Sequence, residues 1–343
     1  MDRSRLVADA TTLLPPLSGL SPAQVVAKYL EARPLARKIL QDPPDFDNEF
    51  WRATARPAPV RAGELGGCAL RVFDNLSRVH GEGPVYVFIH GLGGNATQFE
   101  PLVRVLDALN EGFVALDLPG FGKSAEAPRY AMSAVAAAVG HTVAQLVGEG
   151  HPLVVVGHSL GCHVALHFVA QFGGRYAVRD AVFLAPPAPE LPQLRTAMAR
   201  AGLFVAGRWP VLLDWYRWYF DQHRGLDSSG IQRFFHRGDP YRKLWQFHHN
   251  VQIKSRSVVE YLRGWERVEW EHEHIRSLAS VVVMCGDADP VTPLATARSF
   301  YAMLSGVPSR RFVVVERCSH NLCLDQPAQV TLRFLEAVVD RHG

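Results

Sequence analysis

The stretch Leu153-Val-Val-Val-Gly157-His158-Ser159-Leu160-Gly161 decides how this 343-residue chain is read. A short run of apolar, mostly β-branched residues reads as a buried strand. The run then gives way to a serine with glycines two positions to either side. A turn this sharp strains its apex residue and exposes that residue's side chain, and glycines give the backbone room to close. Ser159 is therefore the candidate nucleophile, with Gly157, His158 and Gly161 as its supporting turn. Taken alone, the pentapeptide also fits an ordinary strand-to-helix loop, because glycine and serine are common residues.

Working outward, two more apolar runs end in polar side chains. Val281-Val-Val-Met-Cys285 leads into Gly286-Asp-Ala-Asp289-Pro-Val-Thr-Pro293, and Phe312-Val-Val-Val315 leads towards Cys318-Ser-His320-Asn. In an open parallel sheet, sites gather at the carboxyl ends of the strands. The chain order Ser159, Asp289, His320 is that of one serine hydrolase fold and differs from the chymotrypsin and subtilisin orders. A fourth run, Val85-Tyr-Val-Phe-Ile89, precedes His90-Gly91-Leu92-Gly-Gly-Asn95. A glycine loop beside a nucleophile can aim backbone N–H groups at the oxygen that turns negative during acyl transfer. The expected donors are the N–H groups of Leu92 and Leu160, with His90 bracing the loop and Gly91 part of it. A glycine loop without a ligand is the alternative.

With these segments in hand, the chain resembles the α/β-hydrolase fold superfamily, in its capped, serine-dependent, esterase/lipase-like form. The matching segments are His90-Gly-Leu92-Gly-Gly94, Asp117-Leu-Pro-Gly-Phe-Gly-Lys-Ser124, Gly157-His-Ser159-Leu-Gly161, Gly286-Asp-Ala-Asp289, and His320 with Asp325-Gln-Pro327 behind it. They span about residue 85 to the C-terminus and are specific for the fold rather than the substrate. The resemblance implies an α/β fold: a mostly parallel central sheet flanked by helices, with an inserted helical cap. One departure is Cys162, where many relatives carry another glycine.

Composition sets the outer bounds. The chain is 48% hydrophobic and 20% charged, with a formal net charge of +3. That charge is too small, and its Lys and Arg too scattered, to suggest nucleic acid as a partner. No uninterrupted apolar run reaches the roughly 18 residues of a spanning helix, and Met1-Asp-Arg-Ser-Arg5 is not followed by an export-type apolar segment. A cytoplasmic enzyme is the expectation. Five irregularly spaced cysteines argue against a disulfide framework. Cys162, Cys285, Cys318 and Cys323 read as small buried fillers, with a redox-sensing role as the alternative.

Strand and helix signals alternate from about residue 60, the pattern of a parallel sheet covered on both faces. A first hairpin or strand pair is expected across about Val60 to Asn75, then strands near 85–89, 113–117, 153–157, 181–185, 281–285 and 311–315. Helices are expected over Ala96–Asn110, Ser133–Glu149, Leu160–Gln171 and Ala328–Arg341. The alternation stops after Ala185-Pro-Pro-Ala-Pro189 and resumes at Ser280. This divides the chain into an N-terminal helical extension (1–55), a core (56–189 and 280–343) and a helical cap (190–279). Ser21-Pro22 reads as the start of a helix over Ala23–Glu31, in an arm that packs on the core or cap or binds a partner. The cap is rich in aromatic residues, among them Trp209, Trp215, Trp218, Phe234, Trp245, Tyr261 and Trp270. Such rings supply apolar walls for a substrate, although most are expected to pack the cap on the core. Gly202–Phe220, with Arg208 and Arg217 among its aromatics, reads as cap helix broken at Pro210. Peripheral membrane contact is the alternative.

The expected chemistry has His320 accepting the Ser159 proton, Asp289 orienting the imidazole, and an acyl-enzyme that water resolves. Asp287 and Asp117 compete for the acid role. Asp289 is preferred on the family spacing that ends at Pro293, and Asp117 reads as structural. His158 would be fixed inside the turn. Glu271-His-Glu-His274 and His248-His249 lack metal-ligand spacing, and Lys123-Ser124 lacks a full phosphate loop, so neither metal nor cofactor is expected. A serine at the apex leaves esters, thioesters, amides and certain C–C cleavages open. Hydrolysis of a small-molecule or lipid-like carboxylic ester is the first expectation. Acyl transfer, C–C hydrolysis and a slow ligand receptor on the same fold stay as alternatives.

Overall fold

The computed structural model describes residues 2–15, 19–21, 23–24, 27, 47–56, 60–62, 67–79, 83–191, 194, 196–237 and 239–338. Of the expected helix at Ala23–Glu31, most lies outside the described residues. Its start is within them: the Ser21 N–H donates to Gln24 Oε1 (2.8 Å), and the Gln24 N–H donates to Ser21 Oγ (3.3 Å). This is the reciprocal pairing of a capping box.

Seven strands form the main sheet: β3 (Val72–Asp74), β4 (Val85–Ile89), β5 (Phe113–Leu116), β6 (Pro152–His158), β7 (Ala177–Leu184), β8 (Ser280–Gly286) and β9 (Ser309–Val315). Their spatial order is β3-β5-β4-β6-β7-β8-β9, and only β3 runs antiparallel. The expected pair across Val60–Asn75 divides differently. β1 (Val60–Ala62) and β2 (Cys68–Leu70) make a separate two-stranded sheet, whereas β3 joins the main one.

Every residue of β4 is buried: Val85, Val87 and Ile89 belong to one core cluster, Tyr86 and Phe88 to the other. Side chains alternate across a strand, so a strand covered on both faces reads as the unbroken apolar run seen in the sequence. One face is covered by α4 (Met132–Ala144) and α5 (Leu160–Phe172), the other by α1 (Arg3–Thr11), α3 (Glu100–Ala108) and the C-terminal helix Pro327–Ala337. Between α1 and α3 a short α2 (Glu49–Thr54) buries Trp51.

At nine residues, α1 is too short to hold together alone. It docks Leu6, Val7 and Ala10 against α3 and the C-terminal helix. Burial of the two larger side chains contributes about 1.5–3 kcal/mol each. The start of the N-terminal extension is thus part of the core.

Between β7 and β8 the chain leaves the sheet for a helical cap. Its helices are α6 (Ala197–Arg208), α7 (Pro210–Arg217), α8 (Pro240–Gln252) and α9 (Ser255–Arg263). Pro210 ends one helix and opens the next, where its missing N–H costs nothing.

Candidate active site

Ser159 sits at the end of β6 and caps α5, with φ 52° and ψ −125°. A serine held there stores about 1–3 kcal/mol of backbone strain, so its surroundings must impose the turn. Its N–H donates to the Leu184 carbonyl of β7 (2.8 Å), and the Cys162 N–H donates to its own carbonyl (2.9 Å). Glycine is required where the turn closes. A Cβ on Gly161 would lie 2.2 Å from the Ile89 carbonyl oxygen, and one on Gly157 would lie 2.7 Å from the Gly161 carbonyl oxygen. The elbow is therefore wedged between β4 and β7. Cys162 turns its thiol back to the Gly157 carbonyl (3.3 Å) and is buried.

The candidate acid and base arrive from β8 and from beyond β9. His320 Nδ1 lies 2.8 Å from Asp289 Oδ2, with both side chains buried. Asp289 also accepts N–H bonds from Val291 (2.7 Å) and Thr292 (2.9 Å) and the Thr292 hydroxyl (2.7 Å). Burial works to raise its pKa, but the His320 charge and these bonds prevail and hold the carboxyl below its ordinary value. The anion so fixed favours the tautomer with the His320 proton on Nδ1, which leaves the Nε2 lone pair open. Asp287 instead accepts the Cys318 N–H (3.1 Å) and holds the loop that carries His320. Asp117 accepts N–H bonds from Ala96 and Lys123 (2.9 Å each), tying two loops together.

Thr292, three residues after Asp289, joins the pair. Its hydroxyl touches Asp289, the Ala185 carbonyl (3.2 Å) and His320 Nδ1 (3.2 Å), so it braces the acid–base pair. A threonine three residues after an aspartate is a local turn signal, which is the clue the sequence held.

The elbow and the base are joined through His158. Its Nε2 donates to the His320 carbonyl (2.9 Å), and the two rings lie 5.0 Å apart. Burial lowers the His158 pKa to about 3, so the ring is neutral and structural. Among the described residues the Ser159 hydroxyl has no hydrogen-bond partner, so the serine–imidazole bond is not made here. Such bonds commonly tighten only when substrate is bound.

Opposite the elbow, the loop after β4 comes close enough that a Cβ on Gly91 would lie 2.8 Å from Ser159 Cβ. His90 fixes this loop: its Nε2 accepts the Leu118 N–H (2.8 Å), which leaves Nδ1 to donate to the Gly91 carbonyl (2.7 Å). Burial lowers the His90 pKa to about 4, which favours that neutral form. Leu160 opens α5, where an N–H has no intrahelical acceptor.

The cap reaches the site through its inner part. Phe234 lies 5.6 Å from the His320 ring, centre to centre. The Asn321 N–H donates to the Phe234 carbonyl (3.1 Å), Ser319 Oγ to the Arg233 carbonyl (2.7 Å), and Asn321 Nδ2 to Gln246 Oε1 (2.9 Å). Asp325 Oδ2 accepts N–H bonds from Ser319 (2.7 Å) and from His236 in the cap (2.8 Å). The His320 loop is thus fastened to the cap on both sides. Other aromatics divide: Tyr261, Phe247 and Trp270 are buried, while Trp209, Trp215, Tyr216 and Tyr219 are exposed. Among the described residues no cluster of three or more metal-ligating side chains occurs.

The model of the alpha/beta hydrolase family matches residues 86–333, and the chain belongs to that family. Lipid droplet hydrolase 1 of Saccharomyces cerevisiae is 32% identical over 364 aligned positions, covering 95% of both chains. Among solved structures, an esterase from Exiguobacterium antarcticum superposes with a TM-score of 0.63 at 19% identity, covering 82% of this chain and 98% of its own. A thermophilic esterase from Thermogutta terrifontis gives 0.63 at 21%, covering 84% and 99%.

Proposed function

We propose that this chain hydrolyses carboxylic esters of lipid type, with Ser159 as nucleophile, His320 as general base and Asp289 as its orienting acid. The observation that carries this reading is the buried His320–Asp289 pair, 2.8 Å apart, at the same end of the sheet as the strained serine that closes β6. Serine attack on the ester carbonyl passes its proton to His320 Nε2. The Leu92 and Leu160 N–H groups stabilise the oxyanion, at about 3 kcal/mol per donor in sites of this type. The protonated imidazole then gives the proton to the departing alcohol, and water hydrolyses the acyl-enzyme. The long match to a yeast relative called a lipid droplet hydrolase favours a substrate with an apolar acyl portion, as does the Phe234 ring beside the base.

Initial rates over p-nitrophenyl esters of graded acyl length, beside a triglyceride emulsion, test the reading. The expected result is turnover that Ser159→Ala abolishes without loss of fold. Rates unchanged in that variant would overturn it.

A further inference from the structure

Helices α6 and α7 bury no residue in the protein. Along them Met198, Phe204, Trp209, Leu212 and Tyr216 are exposed, Met198 at 85% and Phe204 at 63%, and Tyr219 follows at 64%. Single exposed apolar residues are ordinary. A run of large ones on two consecutive helices marks an interaction surface. We propose that the α6–α7 face docks on a phospholipid surface.

The side chains argue for lipid rather than protein. Trp and Tyr favour the headgroup level of a membrane, where a ring can be half apolar and half wet. From residue 197 to 219 the only acidic residue is Asp214, against Arg200, Arg208 and Arg217. Arg217 is turned inward: its guanidinium donates to the Ile253 carbonyl (2.5 Å), to Ser255 Oγ (3.1 Å) and to the Asn250 carbonyl. It caps the end of α8 and fixes α7 to the cap. No ion pair between described residues involves Arg200 or Arg208, and Arg208 lies over the Trp209 ring, 5.7 Å from its centre. Guanidinium groups free of carboxylates suit phosphate oxygens. Between α6 and α9 runs a groove of about 740 Å³, lined by Leu203, Phe204, Leu262 and Trp265 with Arg200 and Arg263 beside them. A groove walled by Leu203, Phe204, Leu262 and Trp265, with the Arg200 guanidinium beside it, suits an acyl chain below a phosphate, while Arg263 there is paired with Glu260 (2.8 Å).

The docking face is also separate from the anchored part of the cap. The bonds that hold the His320 loop involve cap residues 233–246, beyond α7. The exposed face of the outer helices can therefore engage a membrane while Arg217 keeps α7 tied to the end of α8.

This inference rests on the lipid-ester reading for its purpose, although binding needs no turnover, so the test separates them. The full chain is sedimented with sucrose-loaded vesicles of phosphatidylcholine and phosphatidylglycerol, beside two variants: Phe204→Ser/Trp209→Ser/Leu212→Ser, and Arg200→Ala/Arg208→Ala. Hydrolysis of soluble p-nitrophenyl acetate and elution on gel filtration are recorded in parallel. The parent should bind, and the triple variant should lose at least about tenfold in partitioning while keeping soluble-ester hydrolysis. The arginine variant should lose affinity on phosphatidylglycerol-rich vesicles. Failure of the parent to bind, or undiminished binding by the triple variant, overturns the proposal. So does a parent dimer that the triple variant dissolves, which would assign the face to a second copy. Vesicle binding that tracks the patch without any ester turnover would uphold the docking face and refute only the catalytic reading.

Discussion

Gly91→Ala probes whether the loop after β4 supplies an oxyanion donor. An added methyl would lie 2.8 Å from Ser159 Cβ, 2.9 Å from the His158 carbonyl oxygen and 3.3 Å from His158 Nδ1. None of these is the tip of a flexible side chain. The elbow is held by β7 through the Leu184 carbonyl, and His158 is bonded to the His320 carbonyl. The glycine loop must therefore give way. Reaching ordinary contact, at 3.4 Å, moves it about 0.6 Å, carrying the Leu92 N–H with it. Overpacking of this kind costs about 1–3 kcal/mol of stability. A displaced oxyanion donor costs roughly 10²–10³ in kcat, as its outright removal does. Initial rates on a soluble p-nitrophenyl ester and a thermal melt, measured on the same preparation, give both numbers. A folded Gly91→Ala protein with kcat within threefold of the parent would refute the placement of the loop.

Other consequences follow from the same geometry. Burial holds His90 at about 4, and His158 and the α5 residue His163 at about 3, so the folded protein keeps these rings neutral. The unfolded chain protonates them near pH 6.5. The stability they contribute is complete above that pH and lost as pH falls towards the folded values, roughly 2 kcal/mol for each by pH 5. Denaturant titrations from pH 8 to 5 should show a steady decline, and a flat profile would contradict it. Asp325→Ala leaves the Ser319 and His236 N–H groups without their acceptor, at about 1–3 kcal/mol each, and loosens the His320 loop. Stability and kcat should fall together, with Asp325→Asn milder because its oxygen still accepts; an unchanged kcat would count against the clamp. All five cysteines are free and buried, and burial raises each thiol, Cys285 and Cys323 to about 12. Native protein should resist a thiol reagent that modifies all five in denaturant, and rapid native labelling would revive a redox role.

Local patterns made much of the molecule legible. The apolar runs at 153–156, 281–285 and 312–315 each fall inside an observed strand; the first two are buried on both faces and have no polar alternation to blur them, whereas β9 is an edge strand that exposes Val314. His320 lies against Asp289, whereas Asp287 holds the Cys318 N–H. What stayed hidden depends on contacts distant in sequence. The docking of α1 needs α3 and the C-terminal helix. The fastening of Ser319 and Asn321 to Arg233, Phe234 and Gln246 crosses more than 70 residues. The expected helix Ala96–Asn110 starts as a 3₁₀ turn over Ala96–Phe99, before α3 begins at Glu100 with Pro101 in its first turn. The cap aromatics looked alike in sequence, yet Tyr261 is buried and Tyr219 is exposed. Composition alone cannot separate those two fates.

The most direct measurement is intact and peptide mass spectrometry after exposure to a fluorophosphonate, which reacts far faster with a serine activated by a neighbouring base than with an ordinary one. The expected outcome is one adduct per chain, located on Ser159, slowed in Asp289→Asn and gone in Ser159→Ala. No adduct on the folded protein, or one that persists in Ser159→Ala, would contradict the convergence of serine, histidine and aspartate at one end of the sheet.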